Sequence, residues 1–185
     1  MFDAQTIGVL VAAASVTVAA VYYIINLRET LRNRRVNLSS TLMQNLISVE
    51  GSLNWAHMMT MQWKDIDDFD AKFSASSNPQ NYAIRNNLWN TFDITGFQYR
   101  SGLIDLNTLW AICNTAPCQC WAKFKPIIEE YRRSGRFSKE HYRDFEFLAC
   151  EIAKVVSKVD PKYRGNPIYY NLECWDRAYS SGKTQ

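Results

Sequence analysis

Three of the five cysteines in this chain, Cys113, Cys118 and Cys120, fall within one short segment, and thiols at that density raise the question of metal ligation. A structural zinc site asks for a C-x(2–4)-C pair matched by a second pair elsewhere. The spacing here is C-x4-C-x-C, neighbours two apart on a helix point to different sides, and Cys150 and Cys174 stand alone. The expectation is therefore free cysteines packed as small apolar side chains. The histidines are His57 and His141, preceded three residues earlier by Asn54 and Ser138, so the E-x-x-H pairs of a di-iron bundle are missing. The acidic run Asp65, Asp67, Asp68, Asp70 resembles the opening of a calcium loop. It fails at its fifth, sixth and twelfth positions, Phe69, Asp70 and Ser76, and reads as a solvated connector. Neither H-E-x-x-H, G-x-S-x-G nor a phosphate-binding glycine loop occurs. No catalytic residue, cofactor or metal is expected.

A second group of residues suggests packing rather than reaction. Gly8, Ala12, Ser15 and Ala19 recur at spacings of four, three and four, and the same face continues through Tyr22 to Asn26. Small residues in a stripe let helix backbones approach closely, and an Asn at the boundary can bond a neighbouring helix. Arg28, Arg32, Arg34 and Arg35 follow directly and could contact lipid headgroups. A further basic patch, Arg132, Arg133, Arg136, Lys139 and Arg143, reads as a solvated helix end, with anionic headgroups as the second reading. A net charge of +3 is too mild to argue for nucleic acid.

The elements that would position these residues begin with an uncharged run from Ile7 to Leu27. At 1.5 Å rise per residue it covers roughly 30 Å, the thickness of a hydrocarbon core. The leader MFDAQT lacks the basic start of a signal peptide. The run is expected to be one transmembrane helix. Arginines on its C-terminal side alone put the N-terminus outside and the domain in the cytoplasm, in a cell membrane. The resulting division is residues 1–6 extracytoplasmic, 7–27 transmembrane, 28–160 a helical cytoplasmic domain and 161–185 a C-terminal tail.

Beyond the run, Leu38, Leu42, Leu46, Val49, Leu53 and Ala56 keep helical spacing, which predicts a rod continuing to about Trp63. Asn78-Pro79 predicts a helix start, with Ile84, Leu88, Phe92, Thr95 and Tyr99 on one face and a stop at Gly102. Asp105 caps a short helix to about Cys113. Trp121, Phe124, Ile128 and Tyr131 mark another, which Pro126 should kink or restart. Ser138 should cap a last helix carrying Tyr142, Phe145, Leu148, Ile152 and Val155. No stretch alternates as a strand would. The class is all-α: an anchor leading to a bundle of about four helices.

The phrases YYIINLRET, RNRRVNLSSTLMQNL, WKDIDDFD, NPQNYAIRNN, RSGLIDLNTLW, WAKFKPIIEEYRR and DFEFLACEIAKV resemble a family of small single-pass archaeal and bacterial membrane proteins, a domain of unknown function. The resemblance runs from Tyr22 to Lys158 and is strongest at Trp121 to Arg132. It implies a short N-terminal anchor and a helical domain, and brings no activity or site residue. The function expected is a non-catalytic interaction protein, an accessory subunit or scaffold of a membrane complex. Its partners would be membrane lipids and other membrane subunits, or a second copy packed through the anchor. The alternative is a tethered enzyme or ligand sensor with a site between the bundle helices, recognisable by a pocket with convergent polar groups.

Overall fold

A computed structural model describes residues 3–159, except the side chains of residues 4–7, 10, 11 and 45. Among the described residues the chain is all-helical: α1 (Ala4–Ile47), α2 (Val49–Thr60), α3 (Ile66–Phe73), α4 (Pro79–Arg100), α5 (Leu106–Cys113), α6 (Ala116–Arg133) and α7 (Arg143–Val159). It divides into two compact units, Met1–Leu38 and Ser39–Gln185. The tail 161–185, Cys174 included, lies outside the described residues.

The first unit corrects the expected transmembrane helix at 7–27. Among the described residues no helix is long and apolar enough to cross a membrane. From Ala12 to Leu27 half of the residues are alanine or valine, with Ser15, Thr17, Tyr22, Tyr23 and Asn26 interspersed before Arg28. The bulky side chains of Ile7, Leu10 and Val11, which gave the run much of its apolar weight, are not among those described. The assignment of an outer N-terminus rested on that span.

In the second unit most helix starts are local and follow from short polar side chains. Asp65 accepts from the Asp68 amide, Asn78 from that of Asn81 with Pro79 behind it, and Asp105 from that of Thr108. The acidic connector thus contains a helix, α3, which buries Phe69. The rod expected to reach Trp63 breaks at Ser48, whose hydroxyl accepts from the Gly51 amide at 3.0 Å and starts α2 afresh. The expected restart at Pro126 does not occur. The ring is on the exposed face of α6, while Phe124, Ile127 and Ile128 are buried on the other. Ser138 does not cap the last helix either. The chain turns through Tyr142 at φ 60°, α7 begins at Arg143, and the Phe145 amide donates to Asp93 of α4 at 2.9 Å.

The core is aromatic and lies mainly among α4, α6 and α7. Phe124 is fully buried between Trp63 (5.4 Å, stacked) and Trp89 (5.3 Å, edge-on), while Phe145 meets Phe92 and Trp121. At Gly96 the backbone of α4 packs directly on the first turn of α7, and a Cβ there would stand 2.0 Å from the Asp144 carbonyl oxygen. The bundle therefore draws on six described helices, α2 to α7, and the end of α1 adds the buried Leu42.

Candidate functional site

The face of α4 turned toward α3 carries Arg85 one turn before Leu88 and Trp89, so helical spacing drives a guanidinium into the core. Arg85 is only 2% exposed. Its Cζ lies 4.6 Å from the ring centre of Phe69, 5.1 Å from Trp89 and 5.5 Å from Tyr82. This cage is attractive for a cation, on the order of 2 kcal/mol when water is excluded. Rings, however, cannot accept the in-plane N–H groups. Nε and Nη1 of Arg85, and Nε1 of Trp89, are buried with no hydrogen-bond acceptor. Leaving a buried donor unsatisfied costs about 1–3 kcal/mol, so three such groups on two neighbouring residues of α4 call for an explanation.

Arg85 and Trp89 line a cleft of about 200 Å³ between α3, α4, α6 and the turn after α6. Several of its other polar side chains are already bonded within the protein. Tyr131 and Arg136 both donate to Asp70, and Tyr142 donates to Asn86 at 3.0 Å. Burial opposes ionisation of Asp70, but the two donors outweigh it and hold the carboxyl below its usual range. Burial first, then the bond to Asp70, pushes the Tyr131 hydroxyl up to about 12, so it remains a donor at neutral pH. Burial depresses the Arg85 guanidinium from its ordinary value, yet arginine keeps its charge in proteins. With Arg136 matched by Asp70, the charge of Arg85 is the one left over in the cleft. Such a wall can hold and orient an acceptor. Asp70, ionised and already accepting from two donors, is poorly placed to take a proton as a general base.

The residues expected from sequence lie elsewhere. Gly8, Ala12, Ser15, Ala19 and Asn26 are exposed on α1, and a Cβ on Gly8 would meet nothing within 4 Å. The structure brings Ser15 and Ala19 together in a shallow surface groove with Ala14, Val18 and Tyr22. Arg28, Arg32, Arg34 and Arg35 are likewise exposed on α1. The second basic patch is largely paired: Arg132 with Glu146, Arg133 with Glu130, Arg136 with Asp70 and Arg143 with Glu140. His57 is exposed but reaches Asn81 Nδ2 at 2.8 Å, and His141 stacks on Phe137.

Cys113, Cys118 and Cys120 are buried, and Cys118 donates to the Ala149 carbonyl at 3.0 Å. Among the described residues no three His, Cys, Asp or Glu converge as metal ligands would. Burial pushes the Cys113 thiol up to about 12 and raises that of Cys120 further, against a small opposing pull from Lys123. Neither is a thiolate at neutral pH. Iodoacetamide at about pH 8 should leave Cys113, Cys118 and Cys120 unmodified in the native protein and alkylate all three after denaturation, located by peptide mass spectrometry. Rapid native modification of Cys120 would contradict this packing.

The sequence reading left out Arg85 and Trp89, placed Asp70 in a solvated connector and took Tyr131 only as part of an apolar helix face. One signal was present: Asn81 and Arg85 precede Leu88 and Phe92 at spacings of four and three, which put a cation on the buried stripe.

By fold the protein is an all-α helical bundle with a cleft between its helices that Arg85 lines. It belongs to the family described as Domain of unknown function (DUF4760), whose model matches residues 9–152. That description carries neither an activity nor a membrane topology. No curated protein and no solved structure matches the chain.

Proposed function

We propose that the chain is a non-catalytic ligand-binding domain whose site is the Arg85 cleft. The observation that carries this reading is the buried guanidinium, walled by aromatic rings and without an acceptor, on the margin of a cavity large enough for a small molecule. A sensor or binding domain needs such a pocket with a few convergent polar groups. A pure interaction module does not.

Ala75 lies at the exposed mouth of the cleft, in a turn outside the helices, so a bulky residue there blocks entry without disturbing the core. A fragment library screened by thermal shift on the full chain should give ligands that raise Tm. A ligand at one hundred times its Kd stabilises by about 2.7 kcal/mol, which is roughly 5–10 °C for a chain of this size. Ala75→Trp should keep the unliganded Tm and abolish those shifts. Shifts that persist at full size in the variant would place binding elsewhere and defeat the proposal.

A further inference from the structure

We infer that the Arg85 cleft takes a small organic carboxylate, whose charge is matched by the Arg85 guanidinium while its flat apolar body lies against the aromatic wall. The inference rests on the reading of the cleft as a ligand site and adds the chemistry of the ligand. The sign follows from the donors. Arg85 Nε and Nη1 and Trp89 Nε1 can only donate, so what they require is an acceptor. Of the acceptors that line the cleft, Asp70 is engaged by Tyr131 and Arg136, and Asn86 by Tyr142, while the buried Asn81 Oδ1, one turn before Arg85 on α4, is outside the cleft lining and itself lacks a donor. The charge follows from the same inventory. Two guanidinium groups and one carboxylate leave a single positive charge unmatched, which a monoanion neutralises and a dianion overshoots.

Size and shape narrow the class further. A cavity of about 200 Å³ has room for about seven waters at roughly 30 Å³ each, and so for a ligand of around ten non-hydrogen atoms. Trp89, Tyr82 and Phe137 give it planar walls, and Trp89 and Tyr82 also carry the cage around Arg85. A benzoate-sized molecule meets all of these conditions.

The test is calorimetric titration of the full chain with four probes: benzoate, benzamide, benzylamine and inorganic phosphate. Benzoate should bind with a Kd of about 1 mM or tighter. Benzamide, which has the same shape without the charge, should bind at least about tenfold more weakly, since charge-assisted hydrogen bonds are the stronger ones. Benzylamine should not bind. Arg85→Met should lose benzoate at least about tenfold while keeping the wild-type helical circular dichroism and an equal or higher Tm. A merely structural arginine would show the opposite, a lower Tm. If Arg85→Met does not fold, the ranking on the wild-type protein decides the matter alone. Phosphate binding more tightly than benzoate, or benzamide or benzylamine matching it, would overturn the carboxylate while leaving the cleft as a ligand site. Failure of every probe here, and of every fragment to respond to Ala75→Trp, would overturn both.

Discussion

Gly96→Ala should cost the fold about 3 kcal/mol or more, the largest effect expected from a single added methyl group. The new Cβ would stand 2.0 Å from the carbonyl oxygen and 2.6 Å from the carbonyl carbon of Asp144, both backbone atoms that cannot rotate aside. To make room, α7 must move away from α4 at its first turn. That movement strains the Asp93 bond to the Phe145 amide and the Arg100–Asp144 ion pair, which lie to either side. Overpacking ordinarily costs about 1–3 kcal/mol, and a backbone clash belongs at or beyond the top of that range. The gain in helix propensity from Gly to Ala returns only about 1 kcal/mol. Thermal unfolding should show Tm lower by roughly 6–12 °C. Gly102→Ala is the control: its φ is +71° but nothing lies within 4 Å, so only the left-handed backbone is penalised, by about 1 kcal/mol. Equal losses in the two variants would mean that α4 and α7 are not in contact at Gly96.

Phe124→Ala should lower stability by about 3–5 kcal/mol, as expected for a fully buried phenylalanine. The ring is sealed from solvent and bridges Trp63 to Trp89, so its removal leaves a void that two large indoles cannot readily fill. Urea unfolding followed by tryptophan emission should show a midpoint lower by about 1–2 M at an ordinary slope. Leu103→Ala, at a partly exposed position, should cost less than about 0.5 kcal/mol. A loss below about 1 kcal/mol for Phe124→Ala would place the aromatic core elsewhere.

Helix starts were legible where the cap is a neighbour in sequence. Asn78-Pro79 and Asp105 marked α4 and α5 correctly because the side chain and the amide it accepts from are three residues apart. The start of α7 was not legible, because its amide is satisfied by Asp93, fifty-two residues earlier. Ser48 carried a capping hydroxyl, but its neighbours continue the apolar spacing of the preceding helix, and the pattern concealed the break. The run at 7–27 was read by its length, its flanks and its lack of charge, whereas among the described residues alanine, hydroxyl and tyrosine side chains thin its apolar weight.

The candidate site shows the same division. That Arg85 is buried could be read from its register on α4. That it lacks an acceptor could not, because this depends on Asp70 being taken by Tyr131 and Arg136 from distant parts of the chain. Motif searches look for groups at fixed spacing. A site defined by an unmatched donor has no such spacing and emerges only from the partners that distant residues take.

The central claim, that the buried donors of Arg85 await an acceptor, is tested most directly by nuclear magnetic resonance of its side-chain Nε–Hε group. The resonance is assigned by its loss in Arg85→Met. In the full chain without ligand, Hε should resonate in the range of a donor that has no charged acceptor. Saturation with benzoate should move it strongly downfield, and benzylamine at the same concentration should leave it in place. A resonance already far downfield without ligand, unmoved by benzoate, would show that Arg85 has an acceptor within the protein and would contradict the account.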